Sequence, residues 1–203
     1  MIEQSMSYTT EKNTNGFTLI ELLIAMALAL VVIASLSSVF ITQHKTFNTQ
    51  EEVAAMVQRA RAAMDMMSRE IKMAGYDPAD SGITGVPYSA SQQEIRADLN
   101  GDGDTSDANE DIIYTFDSAN KQIERNTGAG AQPFSENIQS FAFSYWKADG
   151  ITEVTSTADQ DDIRQIEITI TAQTSKPDPD YGQNSGYRTH TLTSRITPPN
   201  LNL

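Results

Sequence analysis

Six carboxylates fall within the fourteen residues from Asp98 to Asp111, with no Lys or Arg among them. Oxygen-bearing side chains alternate through the first half, at Asp98, Asn100, Asp102 and Asp104, and Gly103 sits between the last two. Alternate spacing curls hard oxygen donors around one centre, and a glycine permits the tight bend. Acids this close repel one another unless a cation lies among them. The chemistry this predicts is coordination of a structural Ca2+, with Asp98, Asn100, Asp102 and Asp104 as ligands. Asp107, Glu110 and Asp111 are the candidates to close the shell. The alternative is a solvated acidic loop whose Asp and Asn side chains make local turns.

A second acid is out of place for a different reason. From Phe17 to Ile41 every residue is apolar, small or hydroxylic except Glu21. As a helix, at about 1.5 Å per residue, that block is roughly 37 Å long, enough to cross a bilayer. An acid at the centre of such a helix costs about 2.5–3.5 kcal/mol, so it is a functional candidate by default. An unpaired buried charge needs a partner, and an amine offsets the cost.

Other chemistry is not expected. His44 and His190 have no neighbouring ligand pattern, and no nucleophile motif or phosphate-binding glycine loop accompanies them. Trp146, alone of its type, is expected to pack against a sheet. The formal charge of −13 and pI near 4.4 argue against nucleic-acid binding, which needs a basic face. With no cysteine, the body must be held by core packing or by metal. No enzyme is expected.

The residues that carry the acids also carry resemblances. Asp98 to Asp104 resembles the first half of an EF-hand-type calcium loop, D-x-N-x-D-G-D. It departs from the full pattern at the twelfth position, Asn109, and Glu110 and Asp111 come just after. Gly16-Phe17-Thr18-Leu19-Ile20-Glu21 resembles the N-terminal signature of class III signal peptides, shared by type IV pilins and type II secretion pseudopilins. The resemblance implies cleavage between Gly16 and Phe17 by a prepilin peptidase and N-methylation of Phe17. It implies that Glu21 pairs with the first-residue amine of a neighbouring subunit in a filament. The leader, residues 1–16, departs from the usual basic character, with Glu3 and Glu11 against Lys12. Arg69-Glu70-Ile71-Lys72-Met73-Ala74-Gly75-Tyr76 resembles the run that ends the long helix of PilW-type minor pilins.

The elements that must position these residues follow from periodicity. No proline occurs before Pro78, so the helix can run unbroken past the apolar block. Val53, Val57, Ala60, Met64, Met67, Ile71 and Ala74 recur at steps of four and three, an apolar stripe on one helix face. Gly75 stands where a C-cap glycine belongs. Strands are predicted at 94–97, 111–116, 122–125, 141–146, 166–172 and 187–196, with 128–135 and 175–186 as loops. The chain therefore reads as α+β, a long N-terminal helix packed on an antiparallel β-sheet, as in type IV pilins. Its segments are a leader (1–16), a transmembrane and filament-core helix (17–41), an amphipathic continuation (42–75) and a β body (76–203).

These features and resemblances imply a PilW-like minor pilin that takes part in initiation and assembly of type IV pili. Its partners would be other pilins through the N-terminal helix, the prepilin peptidase and an inner-membrane assembly platform. The precursor is expected in a bacterial inner membrane, single-pass with its body outside the cytoplasm, and later in a pilus or pseudopilus. A GspJ-like minor pseudopilin of a type II secretion system and a membrane-anchored binding or adhesion module that never polymerises are the alternatives.

Overall fold

The computed structural model describes residues 16–202. One unbroken helix, α1, runs Leu19–Met73. The described chain divides into two compact units between Phe47 and Asn48. In the described part of the first unit, the apolar side chains face outward all around the helix, among them Leu22, Met26, Leu30, Ile33, Leu36 and Phe40. This stretch is long and apolar enough to cross a membrane. Three of its hydroxyls bond back to the helix carbonyls. Ser35 Oγ donates to Val31 O at 2.8 Å, and Thr42 and Thr46 do the same to Ser38 O and Thr42 O at 3.0 Å.

In the second unit the same helix becomes one-faced. Met56, Ala60, Ala63, Met64, Met67 and Ile71 are buried, and Val53 and Val57 are partly so. The expected stripe is present, and Met56 and Ala63 widen it toward a neighbouring row. Gly75 ends the helix with φ +76°, a conformation that disfavours any residue with a Cβ. Its N–H donates to Arg96 O at 2.9 Å, which ties the helix end to the first strand. Gly85 lies so close to this turn that a Cβ there would stand 2.3 Å from Gly75 N.

Two four-stranded antiparallel sheets occupy the rest, where the sequence suggested one. The first is a meander of β1 (Gln92–Arg96), β2 (Asp111–Asp117), β3 (Gln122–Asn126) and β4 (Gln132–Glu136), in that order. The second comprises β5 (Ile138–Trp146), β6 (Glu153–Val154), β7 (Gln165–Gln173) and β8 (Thr189–Ile196), in the order β6-β5-β7-β8. The expected loop at 128–135 is therefore in part a strand. Pro133 hides it, because a proline usually argues against a strand. At the sheet edge, however, its missing N–H need have no partner. Asn137, at φ +59°, breaks the chain between β4 and β5 and separates the sheets.

The core joins α1 to both sheets. Ile166, Ile168, Ile170 and Ala172 of β7 are buried, as their alternation predicts. On the opposite face Thr169 and Thr171 bond across to Thr193 and Thr191 at 3.1 and 3.0 Å. Glu167 accepts from Arg195, whose guanidinium lies 4.3 Å from the centre of the Trp146 ring. Ile95, Ile112, Tyr114 and Ile123 supply the core side of the first sheet. Each fully buried side chain of this size is worth about 1.5–3 kcal/mol.

One polar contact clamps the helix to the first sheet. Arg125 of β3 donates twice to Glu70 of α1, Nη2 to Oε1 at 2.8 Å and Nε to Oε2 at 3.2 Å. The buried Tyr114 hydroxyl donates to Glu70 Oε2 as well. Burial, reinforced by the Glu70 carboxylate, pushes the Tyr114 phenol well above its ordinary value. Removing Glu70 leaves the Tyr114 hydroxyl and Arg125 without this acceptor. Glu70→Ala is expected to lower stability by about 2 kcal/mol, read as a lower urea midpoint for the full chain in detergent. Arg69→Ala, on the exposed side, should stay within about 0.5 kcal/mol of the parent.

Candidate functional site

Gly16 and Phe17 precede the helix and are exposed, Phe17 at 92%. The peptide bond between them is outside regular structure. Residues 1–15 of the expected leader lie outside the described residues. Thr18 caps the helix. Its Oγ1 accepts from Glu21 N at 3.2 Å, and Glu21 Oε2 accepts from Thr18 N at 2.8 Å and Thr18 Oγ1 at 2.7 Å. This is a reciprocal capping box of the Thr-x-x-Glu kind. The Thr18-Leu19-Ile20-Glu21 spacing alone carries its signature. The carboxylate also sits in the first helical turn, where the peptide dipoles favour negative charge.

The second candidate is the loop joining β1 to β2. Backbone bonds close its base, with Ala97 N donating to Glu110 O at 2.9 Å and Asp98 N to Tyr76 O at 2.8 Å. Asp98 is fully buried. Its Oδ1 accepts from Gly101 N at 2.6 Å and its Oδ2 from Gly103 N at 2.9 Å, so it shapes the turn from inside. Gly103 has φ +89°, as expected of the sharp bend. The Asn100 amide bridges two acids, donating to Asp102 Oδ2 at 3.0 Å and Asp107 Oδ2 at 2.7 Å.

Asp102, Asp104 and Glu110 converge, each with a carboxylate oxygen within 4.8 Å of one on the other two. The Ser106 backbone N–H, at 2.8 Å, holds the Asp104 carboxyl below its ordinary range. Glu110 is 2% exposed, and its Oε1 accepts from Leu99 N at 2.9 Å and Asn100 N at 3.2 Å. Its Oε2 is buried and has no hydrogen-bond partner. Among the described residues no ion pair involves Asp102, Asp104, Asp107 or Glu110. Asp111 stands apart. It opens β2 opposite Arg96, whose Nε is 3.6 Å from its Oδ2, and burial followed by repulsion from Glu94 pushes its carboxyl up. The sequence pattern does not mark Glu110 as the buried member of the group, because the β1–β2 register decides which acid turns inward.

The two ends of the chain meet different relatives. Residues 12–37 match the prokaryotic N-terminal methylation motif, which spans Gly16, Phe17 and Glu21. Residues 49–196 match the family described as prepilin peptidase-dependent protein B. The chain belongs to this family. As a prepilin peptidase-dependent protein it is type IV pilin-like and processed by prepilin peptidase, and the pilin-like family is structural rather than catalytic. Among solved structures, a type IV-like pilin from Thermus thermophilus is similar over 71% of this chain and 97% of its own, with 12% identity and a TM-score of 0.45. A search of curated proteins returned no match.

The capping box makes a local prediction. Thr18→Ala removes the hydroxyl that accepts from Glu21 N, at a cost of about 1 kcal/mol. Amide exchange at Glu21, followed by mass spectrometry in micelles, should speed up about fivefold, while the core amides of β7 keep their rate.

Proposed function

We propose that this prepilin peptidase-dependent protein is a PilW-like minor pilin that helps to initiate and assemble type IV pili. The observation that carries the reading is the exposed Gly16–Phe17 junction ahead of a helix that is apolar on every side. Within the described residues nothing covers that apolar surface. An apolar patch of this size needs a bilayer or other helices of its own kind. The precursor sits in the inner membrane as a single pass with its body outside the cytoplasm. Cleavage frees the Phe17 amine, and N-methylation follows. The helix then leaves the lipid and bundles with the helices of other pilins at the assembly platform.

Glu21 sets the register of that bundle. In a low-dielectric seam its carboxylate is costly alone and favourable beside the amine of a neighbour's first residue. The capping box keeps it available, since Thr18 holds the side chain at the extreme end of the helix. The PilW-like assignment is supported by the Arg69–Tyr76 run, which ends α1 at its C-cap glycine, while a helix with no proline to bend it suits a minor pilin or pseudopilin alike.

Two measurements test the proposal. Mass spectrometry of the protein from its native host is expected to find a chain that begins at methylated Phe17. A chain that retains the leader through Gly16 would overturn the polymerising role and favour an anchored binding module. Glu21→Ala is expected to be cleaved normally yet be recovered in sheared filaments at a small fraction of the parent's amount. Normal recovery would remove the pairing role, and co-purification with secretion components in place of pilus components would favour the GspJ-like reading.

A further inference from the structure

We propose that the β1–β2 loop is a Ca2+ site whose principal side-chain ligands are Asp102, Asp104 and Glu110. Nothing in the family match assigns a metal to this loop, and the inference stands whether or not the chain enters a pilus.

Two independent observations converge on it. The first is spacing. Oxygens bound to one Ca2+ at about 2.3–2.6 Å can be no farther apart than about 5 Å. One carboxylate oxygen from each of Asp102, Asp104 and Glu110 lies within 4.8 Å of those of the other two. The second is Glu110 Oε2. It is buried and without a partner, on a side chain 2% exposed. Burying an unpaired carboxylate oxygen is expensive, and a cation among the three acids removes that cost. The other Glu110 oxygen is held by Leu99 N and Asn100 N, so the side chain is positioned before any ion arrives.

The remaining loop residues have distinct places. Asp98 is a positioning residue, because both of its oxygens are taken by Gly101 and Gly103 N–H groups. Asp107 is the next donor, drawn toward Asp102 through the Asn100 amide. Asp111 faces Arg96 across the β1–β2 pair and is not among the converging oxygens. The donors are all hard oxygens, which suits Ca2+ and excludes metals that need nitrogen or sulfur. A carboxylate set on an irregular loop, with Asp102 and Asp104 exposed, suits the adaptable shell of Ca2+ better than Mg2+, which demands a tight octahedron. The shell closes one position later than in an EF-hand loop, on Glu110, because that residue sits at the hydrogen-bonded base of the hairpin. There Glu110 O accepts from Ala97 N.

Binding would lock this hairpin base and, through Asp98 N on Tyr76 O, the chain that leaves α1. In a chain without cysteine, the ion takes the place of a covalent staple.

The test uses the full processed chain in detergent micelles, stripped with EGTA and titrated with CaCl2 by calorimetry, with thermal unfolding in parallel. The expected result is one ion per chain, with Kd in the range of about 10⁻⁴–10⁻³ M found for extracellular modules, and a higher Tm with Ca2+. Glu110→Gln keeps an oxygen for Leu99 N and Asn100 N and should weaken binding at least tenfold. The exposed Asp104→Asn should weaken it without changing Tm in EGTA, which covers the case of a poorly folded Glu110 variant. No saturable heat up to 10 mM, or several weak ions per chain unaffected by both variants, would overturn the site. An equal Tm rise with MgCl2 would overturn the choice of Ca2+.

Discussion

The structure depends on one helix that must satisfy two environments. Over its first half the apolar side chains point in every direction, so no single face can bury them within this chain. Over its second half the same backbone carries one apolar stripe, and that stripe completes a core with two sheets. The hydrophobic effect thus anchors one half inside the molecule and leaves the other half needing lipid or neighbours. Everything chemical about the N-terminal end follows from that surplus. A lone carboxylate is tolerable at the very end of an apolar helix, where the capping box and the peptide dipoles receive it.

The body meets its own difficulty by other means. A domain of this size with no disulfide has to hold a long helix against two four-stranded sheets. Isoleucine layers do most of it, with Glu70, Arg125 and Tyr114 fixing how α1 meets the first sheet. The turn after α1 is tight enough to require glycine, and its backbone is bonded to β1. The acidic loop hangs from the same junction, so the order of the loop and the order of the helix end are coupled through a few backbone hydrogen bonds.

Much of this was legible because periodicity is local. The stripe from Val53 to Ala74, the alternation of β7 and the stop at Gly75 each follow from spacing within one element. What was not legible depends on partners far away in sequence. The division into two sheets turns on one backbone angle at Asn137, which residue type alone does not dictate. Strand β4 was hidden by Pro133, whose acceptability depends on being at an edge. Nothing local marks Glu70 as different from the other charges of α1, because its inward role requires an arginine fifty-five residues on. In the acidic loop the alternating donors were evident, yet Glu110, Asp107 and Asp111 could not be ranked. Strand register buries the first, leaves the second in solvent and hands the third to Arg96.

Strand β4 has a consequence for how the protein behaves in a crowd. An open sheet edge is a template on which another chain can add a strand, a hazard where many copies gather. Here that edge carries Pro133, which offers no N–H, and its pairing with β3 slips register between Ile123 and Glu124. Both features spoil the regular ladder an incoming strand would need. The β4 edge is thereby a poor template for indiscriminate cross-strand growth.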